Sequence, residues 1–207
     1  MIPNTVNGLP AMACVSALQK CIRRGLEREA MQFAVELIHT SKPFTSMVCK
    51  RLQVISHEDI DTISQPHVVP FVKAACEQAI AWYDSDVAKL GKTRMAVGNA
   101  IRMMARAAKS REGDHFQAAV GWAAILEGAV PVIPDWANDQ HTLQGRRLGR
   151  GLQHFREVST LLVPPAPKDA YEDDAYRLWA LRQQGKQYDK LNLEGASKSK
   201  PGDLFSE

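Results

Sequence analysis

Val15-Ser16-Ala17-Leu18-Gln19-Lys20-Cys21-Ile22-Arg23-Arg24-Gly25 places large apolar residues at 15, 18 and 22 and closes on a glycine. Spacings of three and four put those side chains on one face of a helix, and Gly25 offers its stop. The same period recurs outward from this stretch. Residues 27–40 align Ala30, Met31, Ala34, Leu37 and Ile38, and Ser41, Lys42 and Pro43 then punctuate the chain. Residues 44–56 align Met47, Val48, Leu52 and Ile55, and a polar loop holding Pro66 follows. After Pro70 come Val72, Ala75, Cys76 and Ala79; residues 92–109 and 114–126 supply a fifth and a sixth helix. No run of alternating apolar and polar residues demands a strand. Short loops favour antiparallel neighbours. The expected fold is all-α, a multi-helix bundle with a C-terminal helical extension.

Beyond Gly128 the character changes. Val130 to Pro134 reads as extended, residues 142–159 as one helix, Pro164, Pro165 and Pro167 as a stiff spacer, and residues 169–184 as a last amphipathic helix. From Gly185 the chain is rich in Ser, Lys and Gly, and its last 15 or so residues read as disordered. The expected organisation is a helical bundle over 1–134, an Arg/Gly-rich helical segment over 135–163, and a spacer, helix and flexible tail over 164–207.

Composition excludes several classes. The 207 residues are 45% hydrophobic and 24% charged, ordinary values for a soluble globular chain. No apolar run approaches the roughly 18 residues a membrane span requires, so no membrane partner is expected. Residues 1–8 carry no Lys or Arg and do not open like a secretory signal, which points to the cytoplasm. The cysteines, at 14, 21, 49 and 76, have no CxxC spacing and read as reduced, buried thiols and not as zinc ligands.

Net charge is only +3, but it is unevenly spread. Residues 1–110 carry 14 basic and 9 acidic side chains, residues 111–141 carry 1 and 5, and residues 142–166 carry 4 and 1. The last cluster holds Arg146, Arg147 and Arg150 among Gly145, Gly149 and Gly151. On a continuous helix Gly145 and Gly149 would share a face, as would Arg146 and Arg150. Two readings stand side by side: the arginines grip phosphates or carboxylates, or they pair with the acidic stretch from Glu112 to Asp139 while the glycines permit close packing.

Catalytic motifs are weak. Gly91-Lys92-Thr93 resembles the end of a phosphate-binding loop, but Asp86 stands where the first glycine belongs. Asp135, Asp139, His141 and His154 match no metal-ligand spacing. His57, Glu58 and Asp59 read as a polar helix terminus. Trp82, Tyr83, Phe116 and Trp122 sit at apolar helical positions and read as core; Trp136 and Trp179, in polar surroundings, are expected to contact a partner.

Three segments resemble a known family. Lys20-Cys21-Ile22-Arg23-Arg24-Gly25 with Glu29-Ala30-Met31 is similar to a K-S-I-R-G-S … A-A-L pattern. Arg51-Leu52-Gln53-Val54-Ile55-Ser56-His57-Glu58-Asp59-Ile60 is similar to R-R-L-x-x-x-A-S-E-D-I-G, and Ala108-Lys109-Ser110 before Phe116-Gln117-Ala118-Ala119 is similar to K-S-N-x-x-Y-x-A. Together, over about residues 12–130, they resemble the C-terminal helical domain of the replication-associated recombination protein A family. That family includes the Werner-helicase-interacting AAA+ ATPase. Asp61 replaces the usual Gly and Arg111 the usual Asn, and no complete Walker A motif is present. The resemblance therefore implies the oligomer-forming part of such a protein without ATP hydrolysis. It implies no enzyme activity and no cofactor, and it favours a homo-tetramer acting in DNA replication, recombination or repair. On this reading Lys20, Arg23, Arg24, Arg146, Arg147 and Arg150 would touch DNA phosphates. The alternative is a module that binds or inhibits a related AAA+ ATPase without DNA contact.

Overall fold

The computed structural model describes residues 4–184 and is all-α, with no strand among them. The tail expected to be disordered lies, from residue 185 onward, outside the described residues. The chain divides into two units, with the boundary after Val130.

The first unit holds six helices: α1 (Ala11–Arg23), α2 (Glu27–Thr40), α3 (Lys42–Glu58), α4 (Val68–Ala81), α5 (Gly91–Arg106) and α6 (Glu112–Leu126). Their termini follow from local chemistry. Gly25 takes φ +74°, a left-handed conformation that costs glycine little, and turns the chain from α1 into α2. Glu27 and Glu29 lie in the first turn of α2, where carboxylates favour the positive end of the helix dipole. Ser41 separates α2 from α3, and Pro43 falls in the first turn of α3, where its missing N–H is no loss. Pro70 falls in the first turn of α4 for the same reason, so that helix begins at Val68, before the proline and not after it.

The core is built from the faces that the helical period marks. Leu18 and Ile22 of α1, Leu37 and Ile38 of α2, and Val48, Leu52 and Ile55 of α3 are fully buried, with Val72, Cys76 and Ala79 of α4 and Val97, Ile101 and Met104 of α5. Each large aliphatic side chain so buried contributes about 1.5–3 kcal/mol relative to exposure. α1 packs on α2, α4 lies against α3 and α5, and α2 bridges α3 and α5. Met31 of α2 lies over Gly98 of α5, where an added Cβ would stand 3.6 Å from its sulfur, an ordinary van der Waals contact. Cys14, Cys49 and Cys76 are buried and Cys21 is half-buried, all as free thiols. Burial pushes the Cys14 and Cys21 thiols up.

The expectation of core aromatics is corrected. Phe116 and Trp122 of α6 are 69% and 55% exposed, and Trp82, at the end of α4, is 39% exposed; only Tyr83 packs against the core. Of the bundle helices, α6 touches α3, and none of its residues is buried.

The second unit corrects the expected helix over 142–159. Helix α7 (Leu143–Arg147) is one short turn, Gly149 takes φ +70°, and α8 (Leu152–His154) runs into a wider turn over Phe155–Ser159. Helix α9 (Glu172–Gln183) follows the proline spacer. Gly145 is indispensable here: an added Cβ would lie 1.9 Å from the Asp139 carbonyl oxygen. The close approach expected at Gly145 and Gly149 is thus made by Gly145 alone, and to a loop backbone and not to a neighbouring helix; an added Cβ at Gly149 would meet nothing within 4 Å.

Candidate functional site

The three segments that carry the family resemblance meet at one polar junction. Asp59, which ends α3, has a side chain 0% exposed. Its carboxylate accepts from Arg23 Nε at 2.8 Å and from Gln19 Nε2 at 3.1 Å, both on α1. Glu58 accepts from Arg23 Nη2 at 3.2 Å and from Gln19 Nε2 at 2.9 Å. Arg111, at the start of α6, reaches Glu58 at 3.4 Å and also pairs with Asp114. The third segment enters through the backbone: Ser110 N–H donates to the Asp59 carbonyl at 3.2 Å, and Asp61 N–H donates to that of Ala108 at 3.0 Å. Lys109 Nζ donates to the carbonyls of Met104, Ala105 and Ala107, closing the C-terminus of α5. This junction ties α1, α3, α5 and α6 together. Glu58 and Asp59 thus join helices, but the expected capping is corrected: their carboxylates accept from the side chains of Gln19, Arg23 and Arg111, and from no backbone N–H among the described residues.

That geometry sorts the six nominated cations. The guanidinium of Arg23 is held by Glu58 and Asp59, which raise its already high affinity for a proton. Arg150 is likewise engaged: Nη2 donates to both carboxylate oxygens of Asp135, at 2.8 and 2.7 Å, and Nη1 donates to the Asp135 and Asn138 backbone carbonyls. Asp135 lies within the acidic stretch, so for Arg150 the pairing reading holds. Arg146 and Arg147, on α7, are exposed and make no ion pair among the described residues. Lys20 and Arg24, at the C-terminal end of α1, are exposed as well; Lys20 Nζ bonds to Ser16 Oγ, and Arg24 Nη1 donates to the Lys20 carbonyl at 3.0 Å. The six cations do not form one site. Four remain available, two in each unit.

The feature that sequence reading missed is the exposure of α6. Its residues Phe116, Val120, Trp122, Ile125 and Leu126 are all more than half exposed. Together they leave roughly 600 Å² of apolar surface in water, a size at which exposed patches mark interaction sites. The signal was present: α6 is apolar nearly all round, and such a helix is either enclosed or awaiting a partner. Nothing in its period says which.

In the second unit, Trp136 is 61% exposed, beside Asp135 in a short helical turn. Trp179 is 44% exposed on α9 and stands edge-on to Tyr176 at 5.1 Å. Asp139, Asp135, His141 and His154 do not converge: Asp135 holds Arg150, and Asp139 Oδ1 accepts from the N–H of His141 at 2.8 Å. Among the described residues no group of three or more His, Cys, Asp and Glu side chains could hold a metal ion. Gly91 opens α5, and Thr93 is buried with its hydroxyl on the Ala79 carbonyl at 3.3 Å, a packing role. No helix among the described residues is long and apolar enough to cross a membrane. No protein-family model matches this chain, and no curated protein matches it.

Proposed function

We propose that this chain is a non-catalytic, self-associating accessory module of DNA replication, recombination or repair. The observation that carries the reading is the uncovered apolar face of α6. A standard protein interface buries roughly 800 Å² per partner, and α6 offers most of that area on one helix. Its N-terminus is tied to the end of α3 through Arg111 and Ser110. The family resemblance adds the setting and favours a tetramer. DNA contact is assigned to Arg146, Arg147, Lys20 and Arg24, the four of the six nominated cations that make no ion pair among the described residues. Such contacts are to phosphate, independent of sequence and weakened by salt.

The test is light scattering on the full chain over a concentration series. The expected result is a mass that is a multiple of 23.0 kDa, falling toward a single chain in the Phe116→Ser/Trp122→Ser double variant. A parent protein that stays monomeric at tens of micromolar refutes self-association. Anisotropy of labelled duplex across a salt series tests the DNA contact, which is lost if binding is absent at low salt.

A second reading places a related AAA+ ATPase on the α6 face, with no DNA contact. The engagement of Arg23 and Arg150 by carboxylates favours it, because it removes two of the six cations. Mixed complexes between this chain and such an ATPase, with a parent that stays monomeric alone, would select it.

A further inference from the structure

The second unit contains a cavity of about 530 Å³, well within the size range of small-ligand sites. Its apolar walls are aromatic: Trp179 of α9, and Phe155 with His141 packed edge-on to it at 5.1 Å. These rings are held in place. Trp179 rests on Tyr176, and the Arg156 guanidinium covers the Tyr176 ring at 4.6 Å. The polar groups converge at one rim. Gln183 Nε2 donates to Gln140 Oε1 at 2.7 Å, which leaves the Gln183 carbonyl oxygen without a donor among the described residues. Arg182, also at the cavity, is exposed and makes no ion pair among the described residues. Packed aromatic rings, a carboxamide edge and an exposed guanidinium together fit a planar heteroaromatic ligand that carries hydrogen-bonding edges and a phosphate.

We infer that this cavity binds one unpaired nucleotide, its base against Trp179 and the Gln140–Gln183 edge and its phosphate on Arg182. A base stacked inside a duplex cannot enter such a pocket, whereas a single strand offers bases freely, and aromatic rings accept any base face. His141 lies two residues before the α7 turn that bears Arg146 and Arg147, so cations for flanking phosphates lie close in the chain. The inference goes beyond the phosphate contacts proposed above, because it assigns the protein a preference for unpaired nucleotides. The nucleotide has two sources, a DNA single strand or a free mononucleotide.

The test uses the full chain and three probes: a labelled 12-nucleotide single strand, its blunt duplex, and unlabelled deoxynucleoside monophosphates as competitors. Single strand is expected to bind about 10-fold tighter than duplex, a value set by base–aromatic stacking. Trp179→Ala should weaken single-strand binding about 10-fold and leave duplex binding unchanged. Gln183→Leu, at the rim, should weaken it a few-fold and serves if Trp179→Ala does not fold. Displacement of the strand by millimolar monophosphate identifies the free nucleotide as a ligand; strand binding that resists it identifies the strand. Equal affinity for strand and duplex, unmoved by Trp179→Ala but lowered by Arg146→Gln with Arg147→Gln, overturns the pocket and leaves the phosphate contacts standing. No binding of any probe overturns both.

Discussion

Replacing Asp59 with alanine removes the carboxylate on which the α1–α3–α6 junction is built. The side chain is 0% exposed and holds Arg23 through Nε at 2.8 Å and Nη2 at 3.2 Å, with Gln19 at 3.1 Å. Breaking a fully buried ion pair from one side costs about 3–5 kcal/mol, because the surviving charge is left without compensation. Arg23 is 31% exposed and keeps Glu58, so part of that cost is recovered through water and the second carboxylate. The expected loss is about 2–3 kcal/mol. At about 3–5 °C per kcal/mol for a unit of this size, Tm should fall by roughly 10 °C in a circular-dichroism melt. Asp59→Asn retains the volume and an acceptor and should cost about half as much. Arg23→Ala combined with Asp59→Ala should cost clearly less than the sum of the two single changes, since the pair acts as a unit. A Tm within about 2 °C of the parent for Asp59→Ala would show that the junction is surface decoration and that apolar burial alone sets the bundle.

Four further outcomes follow from the same geometry. Trp122→Ser should lower self-association at least 30-fold in light scattering while leaving the melt of the isolated chain nearly unchanged, as expected for a side chain at the centre of an interface and outside the core. Gly145→Ala should destabilise the second unit by about 3 kcal/mol or more, since the added Cβ meets the Asp139 backbone; rapid proteolytic cleavage between residues 135 and 150 would report it. Hydrogen bonds from Thr5, and then from Asn7, hold the Glu36 carboxyl below its ordinary value against partial burial. The stability this lends is therefore complete above the unfolded carboxyl range and is lost as pH falls through the lower folded value. Amide exchange over residues 4–10 should accelerate there in the parent and show no such step in Glu36→Gln. Finally, a charged alkylating reagent should modify Cys21 first, and Cys14, Cys49 and Cys76 only on unfolding, because burial keeps the reagent from them; burial also favours the neutral thiol at Cys14, and the contact between Cys49 and Cys76 pushes Cys76 up and Cys49 down.

Much of the bundle is legible in sequence because the signal is local. A helix repeats every 3.6 residues whatever surrounds it, so Leu18 and Ile22, Leu37 and Ile38, and Leu52 and Ile55 declare their inward faces without reference to the rest of the chain. Gly25 and the prolines at 43 and 70 mark ends for equally local reasons, with an error of a turn at Pro70. Where local signals compete, reading fails. The segment from 142 to 159 has helical spacing, yet Gly149 adopts a left-handed conformation and the helix ends at Arg147.

What only the tertiary structure decides is which surfaces and charges remain free. Arg23 and Asp59 are 36 residues apart, and Arg150 and Asp135 are 15 apart; no spacing rule relates them, and each pairing removes a cation from the set available to phosphate. The apolar side chains of α6 look like core by composition, but burial depends on what stands opposite, and among the described residues nothing buries Phe116 or Leu126. Periodicity belongs to the single helix and can be read from it. Coverage and charge pairing belong to the packed assembly of helices, and they exist only once the chain has folded.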